Sequence, residues 1–240
     1  IMYISFLSGI LKLGGSLELP TTKKPLNGYP VAILLHGWNG SKDSKNAKIV
    51  GESLLKIGVA VFRFSFTGHD GSDGSLAEFS IQRGLIDLKN AIQDLKLRPD
   101  IDAQSMMVVG RSIGGSIALL ALAEGLGLRC GVLVAPRSNF HTAKSGLYTV
   151  SKNNMKIINR LMMKSGRRFD FYEKATHLKV PTLLLHGSED ESIEPAQSEV
   201  LKGTSQLIEY EQLTGADHQF IGHRETVAKK IAEFAQKHLL

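Results

Sequence analysis

A serine stands between an apolar run and a helical pattern in Val108-Val109-Gly110-Arg111-Ser112-Ile113-Gly114-Gly115. Met106 to Val109 reads as a buried parallel strand, and Ile113, Ile117, Leu120 and Leu122 or Ala123 recur at near-helical spacing. A G-x-S-x-G sequence in that setting predicts a tight, strained strand-to-helix turn. Gly110 and Gly114 are expected there because side chains would collide with the neighbouring strand and helix. The turn would present the Ser112 hydroxyl at a helix N-terminus, where developing negative charge is stabilised. The chemistry on offer is nucleophilic attack, which at neutral pH needs a base within hydrogen-bond reach and a group orienting that base. The competing expectation is a Gly-Ser turn that only tightens strand–helix packing.

Among eight histidines, His218 is the expected base, because Thr214 to Phe220 forms the loop between the last predicted strand and the last predicted helix. His36 and His186 each close a Leu-His-Gly strand end and are expected to pack or hydrogen-bond locally. His69 sits in a glycine-rich loop and is a further candidate, His141 and His177 flank an irregular segment, and His223 and His238 lie in or beside the final helix. The loop after Leu185-His186-Gly187 offers three carboxylates, Glu189, Asp190 and Glu191, and Asp217 is a fourth. The residues alone leave that choice open.

The elements that must position these groups alternate. Strands are predicted at Tyr3 to Leu7, Ile10 to Leu19, Val31 to Leu35, Val59 to Phe64, Met106 to Val109, Gly131 to Ala135, Pro181 to Leu185 and Gln206 to Tyr210. Helices are predicted at Ser44 to Ile57, from a Ser80 cap to Lys96, after Ser112, near Pro195 to Leu201 and from Glu225. Strands separated by helices require right-handed crossovers and a mostly parallel sheet. One domain over residues 1–240 is expected. Residues 137–176 break the rhythm, with no convincing strand and a helical pattern through Met155, Ile158, Leu161 and Met162. They follow a strand's C-terminal end, where open α/β sheets hold ligands, so a small cap insertion is expected there. The other expectation is an ordinary crossover away from the site.

Composition narrows the class. The net charge of +6 concentrates between Arg137 and Lys179, where ten Lys and Arg face only Asp170 and Glu173. No aromatic platform or recognition motif accompanies it, so nucleic-acid binding is not expected. The lone Cys130 has no disulfide partner in the chain, which suits a reducing compartment. Met2 to Leu7 lacks the basic region and cleavage site of a signal peptide, and no apolar run is long enough to span a membrane. A soluble, cytoplasmic protein is expected. No HExxH or Cys/His cluster suggests a metal.

Taken together, His36-Gly37-Trp38, the loop Phe66 to Ser72, the turn around Ser112, His186-Gly187 with Asp190, and Asp217-His218 resemble the α/β-hydrolase superfamily along nearly the whole chain. The likeness is greatest to small bacterial and archaeal carboxylesterases, including feruloyl or cinnamoyl esterase-like and serine-aminopeptidase-like hydrolases. It implies an α/β-hydrolase fold: a mostly parallel sheet of about eight strands with helices on both faces and a small helical cap. It also implies Asp190 as the acid, in the order Ser, Asp, His. The backbone N–H groups of Trp38 and Ile113 would form the oxyanion hole, with His36 bracing their loop. Two positions depart from relatives: Arg111 precedes the serine where many carry His, and Phe64-Ser65-Phe66-Thr67-Gly68-His69 replaces an Asp-x-Arg-Gly-His run. Arg111, Trp38, Met155 and Met162 are candidate substrate contacts. The expected activity is cofactor-free hydrolysis of a small-molecule carboxylic ester through an acyl-enzyme, with a homodimer an open option. Alternatives are a small peptidase or amidase, a thioesterase, or a non-catalytic binding protein of the same fold.

Overall fold

The computed structural model describes residues 1–141 and 153–240. Eight strands form one sheet: β1 (Met2–Ser8), β2 (Leu11–Glu18), β3 (Tyr29–Leu35), β4 (Ala60–Phe64), β5 (Ile101–Arg111), β6 (Cys130–Val134), β7 (Thr182–Gly187) and β8 (Ile208–Leu213). Their order across the sheet is β1-β2-β4-β3-β5-β6-β7-β8. The β1–β2 and β2–β4 pairs are antiparallel, and every pair from β4–β3 to β7–β8 is parallel. Every residue of β3, β4 and β6 is buried. That is why these strands read as unbroken apolar runs: helices cover both faces, so no position alternates to solvent.

Strand residues alternate between two cores. Ala32, Leu34, Val61, Val109, Val132 and Leu185 pack against α1 (Lys45–Lys56) and α7 (Arg224–His238). Ile33, Phe62, Val108, Leu133 and Leu184 face α2 (Ile81–Lys96), α3 (Ile113–Ala123) and α6 (Ala196–Lys202). Each large apolar side chain so buried contributes about 1.5–3 kcal/mol. Ser44 and Ser80 cap α1 and α2, accepting hydrogen bonds from the N–H groups of Ala47 and Arg83. α3 is apolar all round because it lies between the sheet, α2 and α5 (Phe171–Thr176).

Three expectations are corrected. β5 starts at Ile101, ahead of its apolar run, because Tyr29 pairs with Ile101 across a register irregularity before Val31 pairs with Met106. β8 lies at Ile208–Leu213 rather than Gln206 to Tyr210; it is an edge strand whose Glu209 and Glu211 face outward, so its hydropathy signal ends early. α5 was not expected, being only six residues long and fixed by Asp170, which accepts from the N–H groups of Tyr172 and Glu173. Within 137–176, α4 (Asn153–Gly166) and α5 carry the described secondary structure, and α4 packs against α2. The remainder of the expected cap, 142–152, lies outside the described residues.

Candidate active site

β5 ends at Arg111 and α3 begins at Ile113, leaving Ser112 alone in the turn with φ 56° and ψ −119°. That left-handed backbone is costly for a residue with a Cβ and persists only where the surroundings enforce it. The two glycines do so. A Cβ on Gly110 would stand 2.2 Å from the Gly114 carbonyl oxygen, and one on Gly114 would stand 2.6 Å from the carbonyl oxygens of Leu35 and His36. The Ser112 N–H also donates to the Val134 carbonyl at 2.9 Å, fastening the turn to β6. Asn39, Ala135 and Phe220, the other non-glycine residues with positive φ among those described, lie beside Trp38, after β6 and two residues past His218.

His218 follows β8, and its Nε2 lies 3.2 Å from Ser112 Oγ. Its Nδ1 lies 2.7 Å from Asp190 Oδ2. With Nδ1–H donating to the carboxylate, Nε2 is the free acceptor, the arrangement a general base needs. Asp190 is fully buried at its side chain, and Oδ1 accepts the N–H groups of Ser192 and Ile193 at 2.9 and 2.8 Å. Burial pushes its carboxyl upward, but hydrogen bonds from His186, His218 and Ile193 outweigh that and hold it well below the usual carboxylate range. The competing carboxylates are elsewhere: Glu189 and Glu191 are exposed, and Asp217 accepts the Ile221 N–H at 2.9 Å.

The loop after β3 lies over this turn, since a Cβ on Gly37 would stand 3.2 Å from Ser112 Cβ. Among the described residues, neither the Trp38 N–H nor the Ile113 N–H is taken up by a hydrogen bond. The Trp38 ring packs beside His69 and Phe79, at 6.0 and 5.8 Å between ring centres. His36 Nε2 accepts the Phe66 N–H at 3.1 Å, and its Nδ1–H donates to the Gly37 carbonyl at 2.8 Å. Both neighbouring loops thereby hang on one imidazole. Burial, then the adjacent His69, lowers the His36 pKa to about 3, so it stays neutral. His69 is likewise buried, with Nδ1 on the Thr67 carbonyl at 3.1 Å and no bond to Ser112 among the described contacts.

Two suggested substrate contacts have other contacts in the structure. Arg111 donates from Nη1 to the His218 carbonyl at 3.1 Å, so its guanidinium supports the backbone of the histidine's own loop. Met162 is wholly buried and packs in the core on the α2–α3 side, with no surface to offer a ligand. The Met155 side chain lies outside the described residues. His186, expected only to pack or bond locally, is a partner of Asp190, with Nε2 3.1 Å from Oδ2. The spacing of four residues across a strand end was the available signal.

A model of the prolyl oligopeptidase family matches residues 80–240. The chain is 29% identical over 147 residues to Protein bem46 of Schizosaccharomyces pombe, covering 61% of this chain and 47% of that one. It is 34% identical over 106 residues to the mitochondrial palmitoyl-protein thioesterase ABHD10 of Rattus norvegicus, covering 43% of this chain and 34% of that one. The chain thus spans about half or less of the length of these two curated relatives. Among solved structures, Est1E of Butyrivibrio proteoclasticus, with ferulic acid bound, superposes with a TM-score of 0.83 at 20% identity over 99% of both chains. That likeness is one of fold, and the fold is the α/β-hydrolase fold.

Proposed function

The chain belongs to the prolyl oligopeptidase family of α/β-hydrolases, and from that premise we propose that it cleaves carboxylic esters by acyl transfer through Ser112, His218 and Asp190. The observation that carries the reading is the continuous relay from Ser112 Oγ through His218 to Asp190 Oδ2, at 3.2 and 2.7 Å. His218 Nε2 takes the hydroxyl proton as Ser112 Oγ attacks the carbonyl carbon. The tetrahedral oxyanion is met by the N–H groups of Trp38 and Ile113, both free for it. The proton then passes from His218 to the leaving alcohol, giving an acyl-Ser112 ester. Water, deprotonated by the same nitrogen, releases the acid. Asp190 keeps His218 in the Nδ1–H tautomer and stabilises its charged form. We read the helices of 137–176 as a cap beside the acyl site, a reading supported by α4 packing on the turn Leu76–Glu78, which precedes Phe79, the ring neighbour of Trp38.

We place an ester ahead of an amide, a preference supported by the ferulic acid, a carboxylic acid, bound in the similarly folded Est1E. A thioester is the second reading, favoured by the 34% identity to a palmitoyl-protein thioesterase. The test is turnover of p-nitrophenyl acetate and butyrate with fluorophosphonate labelling of Ser112, beside a matched anilide and thioester. We expect ester turnover and labelling that Ser112→Ala abolishes. A protein that neither turns over the esters nor labels is not a hydrolase of this kind, and a faster anilide or thioester moves the substrate class.

A further inference from the structure

His186 is the last but one residue of β7 and is completely buried, yet both of its ring nitrogens are engaged. Nε2 lies 3.0 Å from the Ile193 carbonyl oxygen and 3.1 Å from Asp190 Oδ2. Nδ1 lies 2.6 Å from the Ser198 hydroxyl on α6. A carbonyl oxygen only accepts, so Nε2 must carry a hydrogen, which it shares with Asp190. In the neutral ring Nδ1 is then an acceptor, and Ser198 donates to it. Asp190 Oδ2 consequently receives two imidazole N–H groups, from His218 and from His186, while Oδ1 is filled by two backbone N–H groups.

We propose that His186, locked in its Nε2–H form by Ser198, is a positioning residue that aims Asp190 Oδ2 at His218. The inference rests on the reading of Asp190 as the acid of the hydrolytic site. Four donors on one carboxylate leave it a single orientation, so the carboxylate plane, and with it the His218 ring, is set before substrate arrives. The second imidazole does this through its Nε2–H. A cation in its place would compete with protonated His218 for the same oxygen during the reaction. Ser198 extends the support into α6, whose Gln197 side chain accepts the N–H groups of Ser138 and Asn139 at 3.1 and 2.9 Å. The acid loop and the first residues of the 137–176 segment are therefore carried by the same short helix.

Two measurements test it. In wild-type protein labelled with 15N-histidine, His186 should show a protonated Nε2 and a bare Nδ1 at neutral pH; an Nδ1–H form with a bare Nε2 overturns the proposal. In ester hydrolysis, His186→Phe keeps a ring without donors, whereas His186→Gln returns an N–H near the Nε2 position. The Phe variant should lose on the order of ten- to a hundredfold in kcat with KM little changed. Its acid limb in kcat/KM should shift from the wild-type position, because the contact between Asp190 and His218 is no longer held in one geometry. The Gln variant should recover to within about threefold and restore the limb. A Phe variant with the wild-type kcat and acid limb, or equal losses in both variants, overturns the proposal. A wild-type protein without ester turnover instead defeats the hydrolase reading, and the tautomer measurement still judges His186.

Discussion

Ser112 combines a nucleophile's surroundings with a backbone that penalises any side chain, and the two can be separated by substitution. Ser112→Ala and Ser112→Gly both remove the hydroxyl, so under the proposed mechanism each should lower kcat by about 10⁴-fold or more. Their stabilities should differ. At φ 56° glycine is unstrained and alanine is not, so the Gly variant should be the more stable by about 1 kcal/mol in urea denaturation. Equal stabilities would mean the turn is not strained. Asp190→Asn should cost about 10⁴-fold in kcat by offering His218 the wrong tautomer, again with KM nearly unchanged. Ser112 and His218 were legible because each sits at a junction between elements that pattern can locate. Asp190 was separable from Glu189 and Glu191 only through a family pattern. Burial is what distinguishes it physically, and burial of one loop carboxylate depends on contacts that no local spacing reveals.

Among the elements, glycine positions report where backbone meets backbone. Gly110→Ala drives a methyl to 2.2 Å from the Gly114 carbonyl oxygen, so the first turn of α3 must move. A loss of at least about 2 kcal/mol, together with more than about a hundredfold in activity, is expected. Gly84→Ala offers a control within the same core. Its methyl would meet side-chain ends, Ile117 Cδ1 at 2.4 Å and Phe79 Cε2 at 3.2 Å, and not backbone. α2 would gain about 1 kcal/mol of helix propensity in return. Near-neutral stability and full activity are expected there, and a loss as large as that of Gly110→Ala would show that side-chain and backbone collisions do not differ here. The elements that the sequence displayed clearly are those covered on both faces, such as β3, β4 and β6. The edge strand β8 and the six-residue α5 were obscured for the same reason: half-exposed or very short elements carry too few apolar positions for a period to emerge.

Over the whole molecule, the fold stores two uncharged histidines next to the site, and their cost appears only in acid. The His36 and His69 rings lie tilted against each other with centres 4.8 Å apart. Burial lowers the pKa of each, His36 from 6.5 to about 3. The native state therefore binds fewer protons than the unfolded chain once pH falls below about 6.5. The stability these residues allow is fully present above that value and drains away as pH drops, for His36 at up to about 1.4 kcal/mol per pH unit towards its folded value. Asp190 acts in the same direction but only below the ordinary carboxylate range, so between about pH 6 and pH 4 His36 should dominate, with His69 adding in the same direction. Urea midpoints should be flat near neutrality and fall steadily through that window. His36→Gln keeps an acceptor for the Phe66 N–H and removes the titration. It should lower stability at pH 7, yet flatten the acid slope by up to about 1.4 kcal/mol per pH unit. The general repulsion of a chain of net charge +6 is common to both proteins, so an unchanged slope in the variant would assign acid unfolding to that repulsion and not to the buried pair.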